Sequence, residues 1–395
     1  MRGSSKNRGS NARVLGGAWI IAGLGIGCAN PTENEHGPEQ TRGAADTDVR
    51  TSDPLSGRPD SIVVDQKRDP LMLAGMAMTR RGVPDSALVL LDSAFARCSN
   101  NGDTLGMADA CIHRGRAWAI AGRPDSALVA YRKALDLRTR MPEGAPPTIA
   151  GCYAIIAALA YNNDIDSCRK YLDLADSSMR FANATLTERY IAANVRGLLL
   201  WNSRELNRAQ LQFANAIGVL NEPGSLDLDL DPDWTRAKTE TNLCNVFDDL
   251  HDFRSATEHG SRSLVLLDNV LAHATGSLRI RVLRSKAILQ TSLGSTLVDT
   301  YEIDSALTQL KSALNIYQTV TPKGSRDWFL GYWNISHAYY VGRGFDLAEI
   351  YLDSAKIHYR PGAVRADDAL FNALTGALLA EHGDRSRTMA YYEES

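Results

Sequence analysis

Four aspartates alternate through LDLDLDPDW, at Asp227, Asp229, Asp231 and Asp233. Carboxylates at every second place open the loops that wrap calcium in hard oxygen ligands. Such a loop needs Gly at its sixth place and Glu at its twelfth, where this chain has Pro232 and Lys238. A solvated loop that caps the following helix accounts for the same residues and is favoured. Asp248, Asp249, His251 and Asp252 form a second acidic group with one imidazole. It could hold a metal, and it equally makes an ordinary polar turn. The 8 His are scattered, and H-E-x-x-H, G-x-S-x-G, Walker A and kinase motifs are all missing. The glycines of GLGIG at residues 23–27 follow no strand and precede no Lys, so they are no phosphate loop. The 6 Cys show neither C-x-x-C nor metal-ligand spacing. No catalytic residue, metal or cofactor is therefore assigned, and the chain is expected not to be an enzyme.

Composition excludes further classes. The 395 residues carry a net charge of −3 and are 44% hydrophobic, which suits a globular protein of one large or two medium domains. A nearly balanced charge gives no broad basic surface for nucleic acid.

The first 28 residues read as an export signal. Arg2, Lys6, Arg8 and Arg13 precede an uncharged apolar run, Val14 to Gly27. That run is shorter than the ~20 residues of a membrane span. It leads into Gly27-Cys28-Ala29-Asn30, which resembles the lipobox of bacterial lipoproteins, with Gly25 in place of the usual Leu. The resemblance implies that Cys28 becomes the lipid-bearing N-terminus, anchored by about 0.8 kcal/mol per buried CH₂. Residues 29–69 are rich in Pro, Gly, Thr, Asp and Glu and read as a disordered tether. Residues 70–395 form the third region.

What must position any site in that region is a repeating pair of helices. In GRAWAIAGRPDSALVAYRKALDL, Gly115 to Leu137, the turn is supplied by Gly122, Pro124 and Asp125. Ala127 and Ala134 lie close to two helical turns apart and share a face. The residue equivalent to Ala127 recurs at Ala87, Cys168, Ala209, Ala256, Ala306, Ala348 and Thr388, in steps of 40, 41, 41, 47, 50, 42 and 40. Its partner seven places on is Ala94, Ala134, Ala175, Ala216, Ser263, Ala313 and Ala355. The partner twelve places before is Gly75, Gly115, Gly197, Gly294 and Gly376, replaced elsewhere by Ile156, Cys244 and Ser336.

Small residues at positions 8, 20 and 27 around a turn near 15, with the aromatic Tyr131 at 24, resemble the tetratricopeptide repeat. The longer steps match the 40-to-42-residue variants of that family. The resemblance implies an all-α, right-handed superhelical solenoid of about eight helix-turn-helix units. The two longest steps predict extended connections near 221–232 and 272–277. Cys152, Cys168 and Cys244 fall at positions wanting small apolar residues. Cys98 and Cys111 flank a loop, as core residues or as a disulfide that export would permit.

The resemblance also implies a concave groove lined by Arg116, Tyr153, Tyr161, Asn194, Trp201, Asn242, Asn245, Asp248, Trp333, Asn334, His337 and Tyr340. Lys238 and Asn245 stand in one repeat only, so no carboxylate clamp is expected. The expected role is a protein- or peptide-binding scaffold lipid-anchored in the bacterial envelope, on the periplasmic side or outer membrane, with the incomplete last repeat frayed or meeting another chain. The alternative is a solute- or glycan-binding lipoprotein of outer-membrane uptake, which would show a closed pocket of Trp201, Trp333 and Tyr340.

Overall fold

The computed structural model describes residues 69–395 except 142–148, 162–163, 182–183, 225–231, 384–387, 390 and 392–395. The leader, Cys28, the tether up to residue 68 and Asp227, Asp229 and Asp231 lie outside the described residues. The described residues hold fifteen helices and no strand. They are α1 (Pro70–Arg80), α2 (Pro84–Asn100), α3 (Thr104–Ile120), α4 (Pro124–Thr139), α5 (Ile149–Ala160), α6 (Ile165–Phe181), α7 (Leu186–Asn202) and α8 (Leu206–Leu220). Then follow α9 (Pro232–Asp249), α10 (Phe253–His273), α11 (Gly276–Asp299), α12 (Ile303–Val320), α13 (Arg326–Val341), α14 (Phe345–Lys356) and α15 (Arg365–Glu381). Odd-numbered helices open each repeat and even-numbered ones close it.

Local chemistry sets the ends. Proline begins α1, α2, α4 and α9, where its missing N–H costs nothing. Asp69, Asp103 and Asp252 accept backbone N–H bonds at the starts of α1, α3 and α10, and Thr185 with Glu188 forms a capping box on α7. Six of the turns within a repeat, all but that between α5 and α6, end their first helix by one device. The N–H three places past the helix bonds back to a carbonyl five residues earlier, as Arg123 does to Trp118 at 2.9 Å and Glu302 does to Leu297 at 2.8 Å. That bond needs a left-handed residue between. Gly82 and Gly122 supply it in the first two repeats, whereas Arg204, His251, Tyr301 and Arg343 are held there at φ 60 to 63°. Tyr301 is 77% exposed, so its side chain returns little for the strain. Tyr301→Gly should stabilise the chain by about 1 kcal/mol. A chemical-denaturation midpoint no higher than that of the parent chain would refute this.

The spacing of small residues is the packing. Ala87, Ala127, Cys168, Ala209, Ala256, Ala306 and Ala348 are all completely buried, and so are Ala94, Ala134, Ala175, Ala216, Ser263 and Ala355, with Ala313 almost so. Against them sit the buried glycines Gly75, Gly115, Gly197, Gly294 and Gly376. A β-carbon on Gly75, Gly115, Gly197 or Gly294 would come within 2.6 to 2.7 Å of Leu91, Tyr131, Phe213 or Leu310, each sixteen residues on. The fifth repeat inverts the pair: Cys244 takes the small position and Gly260 the large one, and Leu293 of the next repeat fills the space over Gly260.

Opening helices of successive repeats pack on one another along most of the array, from α1 on α3 and α5 on α7 to α13 on α15, and closing helices do so less. The opening helices therefore form the inner wall of the superhelix. The closing helices turn Val89, Val129, Leu211 and Ile350, each two places past its packing alanine, to the outside.

The 50-residue step departs from expectation. No long connection exists near 272–277. Instead α10 grows to 21 residues and α11 to 24, joined only by extended Ala274 and Thr275. The reason is that residues 264–273 and 277–288 contain neither Pro nor Gly, so nothing stops either helix earlier. The prolonged start of α11 crosses to the first repeat, where a β-carbon on Gly276 would lie 3.7 Å from the Arg81 carbonyl. One superhelical turn thus brings repeat six back to repeat one. The interval between Leu220 and Pro232 is the longer connection that the 47-residue step predicts, with 225–231 outside the described residues.

Candidate functional site

The inner wall sorts the groove residues into two sets. Tyr161, Asn194, Asn242, Asn245, Trp201 and Trp333 are buried. All but Asn245 have polar atoms that join one opening helix to the next. Tyr161 donates to the Leu198 carbonyl at 3.2 Å, Asn242 to the Asn194 amide oxygen at 3.1 Å, Trp201 Nε1 to the Asp249 carboxylate at 2.6 Å and Trp333 Nε1 to the Leu370 carbonyl at 3.0 Å. Tyr161, Asn194, Asn242, Trp201 and Trp333 are rungs between repeats, because opening helices approach too closely to leave such side chains at the surface, and Asn245 is buried beside them. The indoles of Trp201 and Trp333 lie in separate cores, so they enclose no common pocket with Tyr340.

Further rungs escaped the sequence reading. Tyr190 reaches Thr235 and Thr239, Thr296 donates to Asp248 at 2.9 Å, Arg284 to Asp327 at 2.8 Å and Arg326 to Asp367 through two nitrogens. Burial pushes the Asp327 carboxyl up, and the nearby Arg284 opposes this. The signal available was polar residues recurring about one repeat apart.

Arg116, Tyr153, Asn334, His337, Tyr340 and Asp248 stay half-exposed on the wall. His337 stacks on Trp333 with ring centres 5.2 Å apart, and burial lowers its pKa. Asn334 donates back to the Leu330 carbonyl, and Tyr340 leans on Phe345 at 5.8 Å.

The reach of α11 assembles a group that sequence reading missed. Trp234 and Lys238 stand on α9, Arg281 on α11 and Arg116 on α3. The Lys238 ammonium lies 4.5 Å and the Arg281 guanidinium 6.0 Å from the centre of the buried Trp234 ring. Burial pushes Arg281 down to about 10, and the positive charge of Arg116 adds to the shift.

Other candidates resolve simply. Cys98, Cys111, Cys152, Cys168 and Cys244 are free and buried, and burial pushes the last three thiols up to about 12. Among the described residues no three His, Cys, Asp or Glu side chains converge on a metal position, and no helix is long and apolar enough to cross a membrane. Asp252 is spent on a helix cap, and Asp233 accepts from Asn269 at 3.4 Å.

No protein-family model and no curated protein matches the sequence. Solved structures do match. A Rap protein complexed with Competence and Sporulation Factor is 15% identical, covering 73% of this chain and 75% of its own, with a TM-score of 0.54. The apo form of RapI is 13% identical over 74% of each chain, at 0.53. A signal-transduction ATPase with a tetratricopeptide-repeat sensor, from Pyrococcus horikoshii, is 10% identical over 83% of this chain and 49% of its own, also at 0.53. The fold is a tetratricopeptide-repeat solenoid. At these identities the likeness speaks for architecture alone.

Proposed function

We propose that this tetratricopeptide-repeat chain is a scaffold that receives a protein or peptide against its inner wall, held at the cell envelope by a lipid on Cys28. The observation that carries the reading is the inner wall itself, where Arg116, Tyr153, Asn334, His337 and Tyr340 remain half-exposed while every packing alanine is sealed. Half-buried aromatic and Arg side chains on a preformed concave surface suit partner contact. A Rap protein of similar fold is complexed with Competence and Sporulation Factor, which supports a bound partner as the working state of such an array. The basic leader, the apolar run and Cys28 support export and anchorage. The scaffold performs no chemistry of its own and passes on a signal or an assembly step through what it binds.

Two experiments test this. Cells fed an alkyne-bearing fatty acid should label the full chain and not its Cys28→Ala variant. Equal labelling, or none in either, removes the anchor. Crosslinking of the tagged chain in intact cells should recover one stoichiometric envelope protein, and recovery of none removes the scaffold.

A further inference from the structure

We infer that residues 59–66 fold as a short closing helix ahead of the first repeat and lie against the far side of α1, so that the array is capped by its own chain.

Opening helices α3 to α13 each lie between two closing helices, whereas among the described residues α1 packs on one, α2. Helix α1 is nonetheless apolar all round. Between Asp69 and Arg80 it carries no charge, and its one hydroxyl, on Thr79, donates to the Gly75 carbonyl at 2.9 Å. Met72, Gly75, Met76 and Thr79 are buried on the side that faces α2 and α3. Leu71, Leu73, Ala74, Ala77 and Met78 fill the rest of the circumference, half-buried. A helix without a polar face needs cover on every side. The step of 40 between Gly75 and Gly115 identifies which side takes a neighbour. On α3, Arg114 pairs with Asp92 of the preceding closing helix at 2.7 Å and lies over its Phe95, and Ala117 and Trp118 pack in the core of the first repeat. Their counterparts on α1 are Ala74, Ala77 and Met78. Where α3 offers an arginine to an acidic neighbour, α1 offers alanine, which suits an apolar one.

The sequence just ahead of α1 supplies that neighbour. Gly57-Arg58-Pro59-Asp60-Ser61 is identical to Gly122-Arg123-Pro124-Asp125-Ser126 and differs at one place from Gly82-Val83-Pro84-Asp85-Ser86. In both of those the proline starts a closing helix. Pro59, Ile62, Val63 and Gln66 then share one helical face, with Asp60, Ser61 and Asp65 away from it. Ile62 stands where α2 and α4 have Ala87 and Ala127, which are small because the opening helix of their own repeat presses on them. Residues 29–56 hold only Val49 and Leu55 as large apolar residues, too few for the buried face of an opening helix, so Ile62 need not be small. Eight residues of helix reach about 12 Å, the span of α1 from Pro70 to Met78. The turn between the two is short, and its far end is fixed: Asp69 pairs with Arg97 at 3.3 Å and accepts from the Leu71 N–H at 2.8 Å. A segment tethered so closely acts at an effective concentration of the order of millimolar, well above that of a second copy in micromolar solution. The occupant is therefore the chain's own segment.

Hydrogen exchange read by mass spectrometry on the purified full chain, at micromolar concentration, is the test. Amides of residues 60–67 should exchange at least about tenfold more slowly than in a free peptide of residues 57–68. The double variant Ile62→Asp, Val63→Asp should abolish that protection and speed exchange in α1 at least about tenfold, with α7 to α9 unchanged as proof that the array has kept its fold. Ala74→Arg should release the segment from the opposite side of the contact. Exchange of residues 60–67 at the free-peptide rate overturns the inference, and so does protection of α1 that survives the double variant. Protection that appears only as protein concentration rises, together with a dimer in light scattering, gives the face to a second copy and equally overturns it. The measurement involves neither a partner nor the lipid on Cys28, so its outcome is independent of the scaffold reading.

Discussion

Gly115→Leu should destabilise the second repeat by about 3 kcal/mol, the upper end of what overpacking costs. Even the first carbon of the new side chain would stand 2.7 Å from the Tyr131 ring, closer than carbon atoms approach without displacement. Tyr131 cannot swing away, because it is buried to 3% exposure in the core shared by repeats two to five. Relief must come from separating α3 and α4, which uncovers Ala127 and Ala134. The fifth repeat indicates the remedy. There Cys244 and Gly260 exchange the small and large places, with Leu293 closing the gap. Gly115→Leu combined with Tyr131→Ala should therefore recover part of the loss. Hydrogen exchange in α3 and α4, read beside the melting curve, is the measurement, since a repeat array can open one unit without unfolding as a whole. Unaltered protection in the single variant would contradict the packing described.

Trp333→Ala should cost about 3 to 5 kcal/mol. The indole is 5% exposed, stacks on His337 and donates from α13 to the Leu370 carbonyl on α15. Its removal opens a cavity and leaves that carbonyl without its side-chain donor. Faster exchange should appear in α15, the last described helix beyond it. Tyr340→Ala, on a half-exposed residue leaning on Phe345, should cost well below half as much. Loss of partner binding in a Trp333 variant would thus report a loosened seventh repeat, and Tyr340 is the sound probe of the wall. Equal destabilisation by the two substitutions would refute this division.

The repeat was legible because its cause is local and recurrent. Two helices can approach at Gly115 and Ala127 only if both are small, and every pair must solve the same problem. Recurrence at Ala87, Ala209 and Ala348 then gave the register, and the register gave the solenoid. The groove was less legible. A polar or aromatic residue on an opening helix looks the same in sequence whether it meets a partner or the neighbouring repeat. Asn194 and Asn242 bond to each other for a reason set by the distance between successive helices.

The sequence by itself determined the helix pairs, their turns and the small-residue seams, since these depend on residues within one repeat. Only the tertiary structure decided that 50 residues between repeats lengthen α10 and α11 rather than a loop, that α11 reaches the first repeat, and that Lys238 and Arg281 gather about Trp234. The pitch of the superhelix fixes those meetings. Pitch is the accumulated sum of small rotations between neighbours, and no single repeat encodes it.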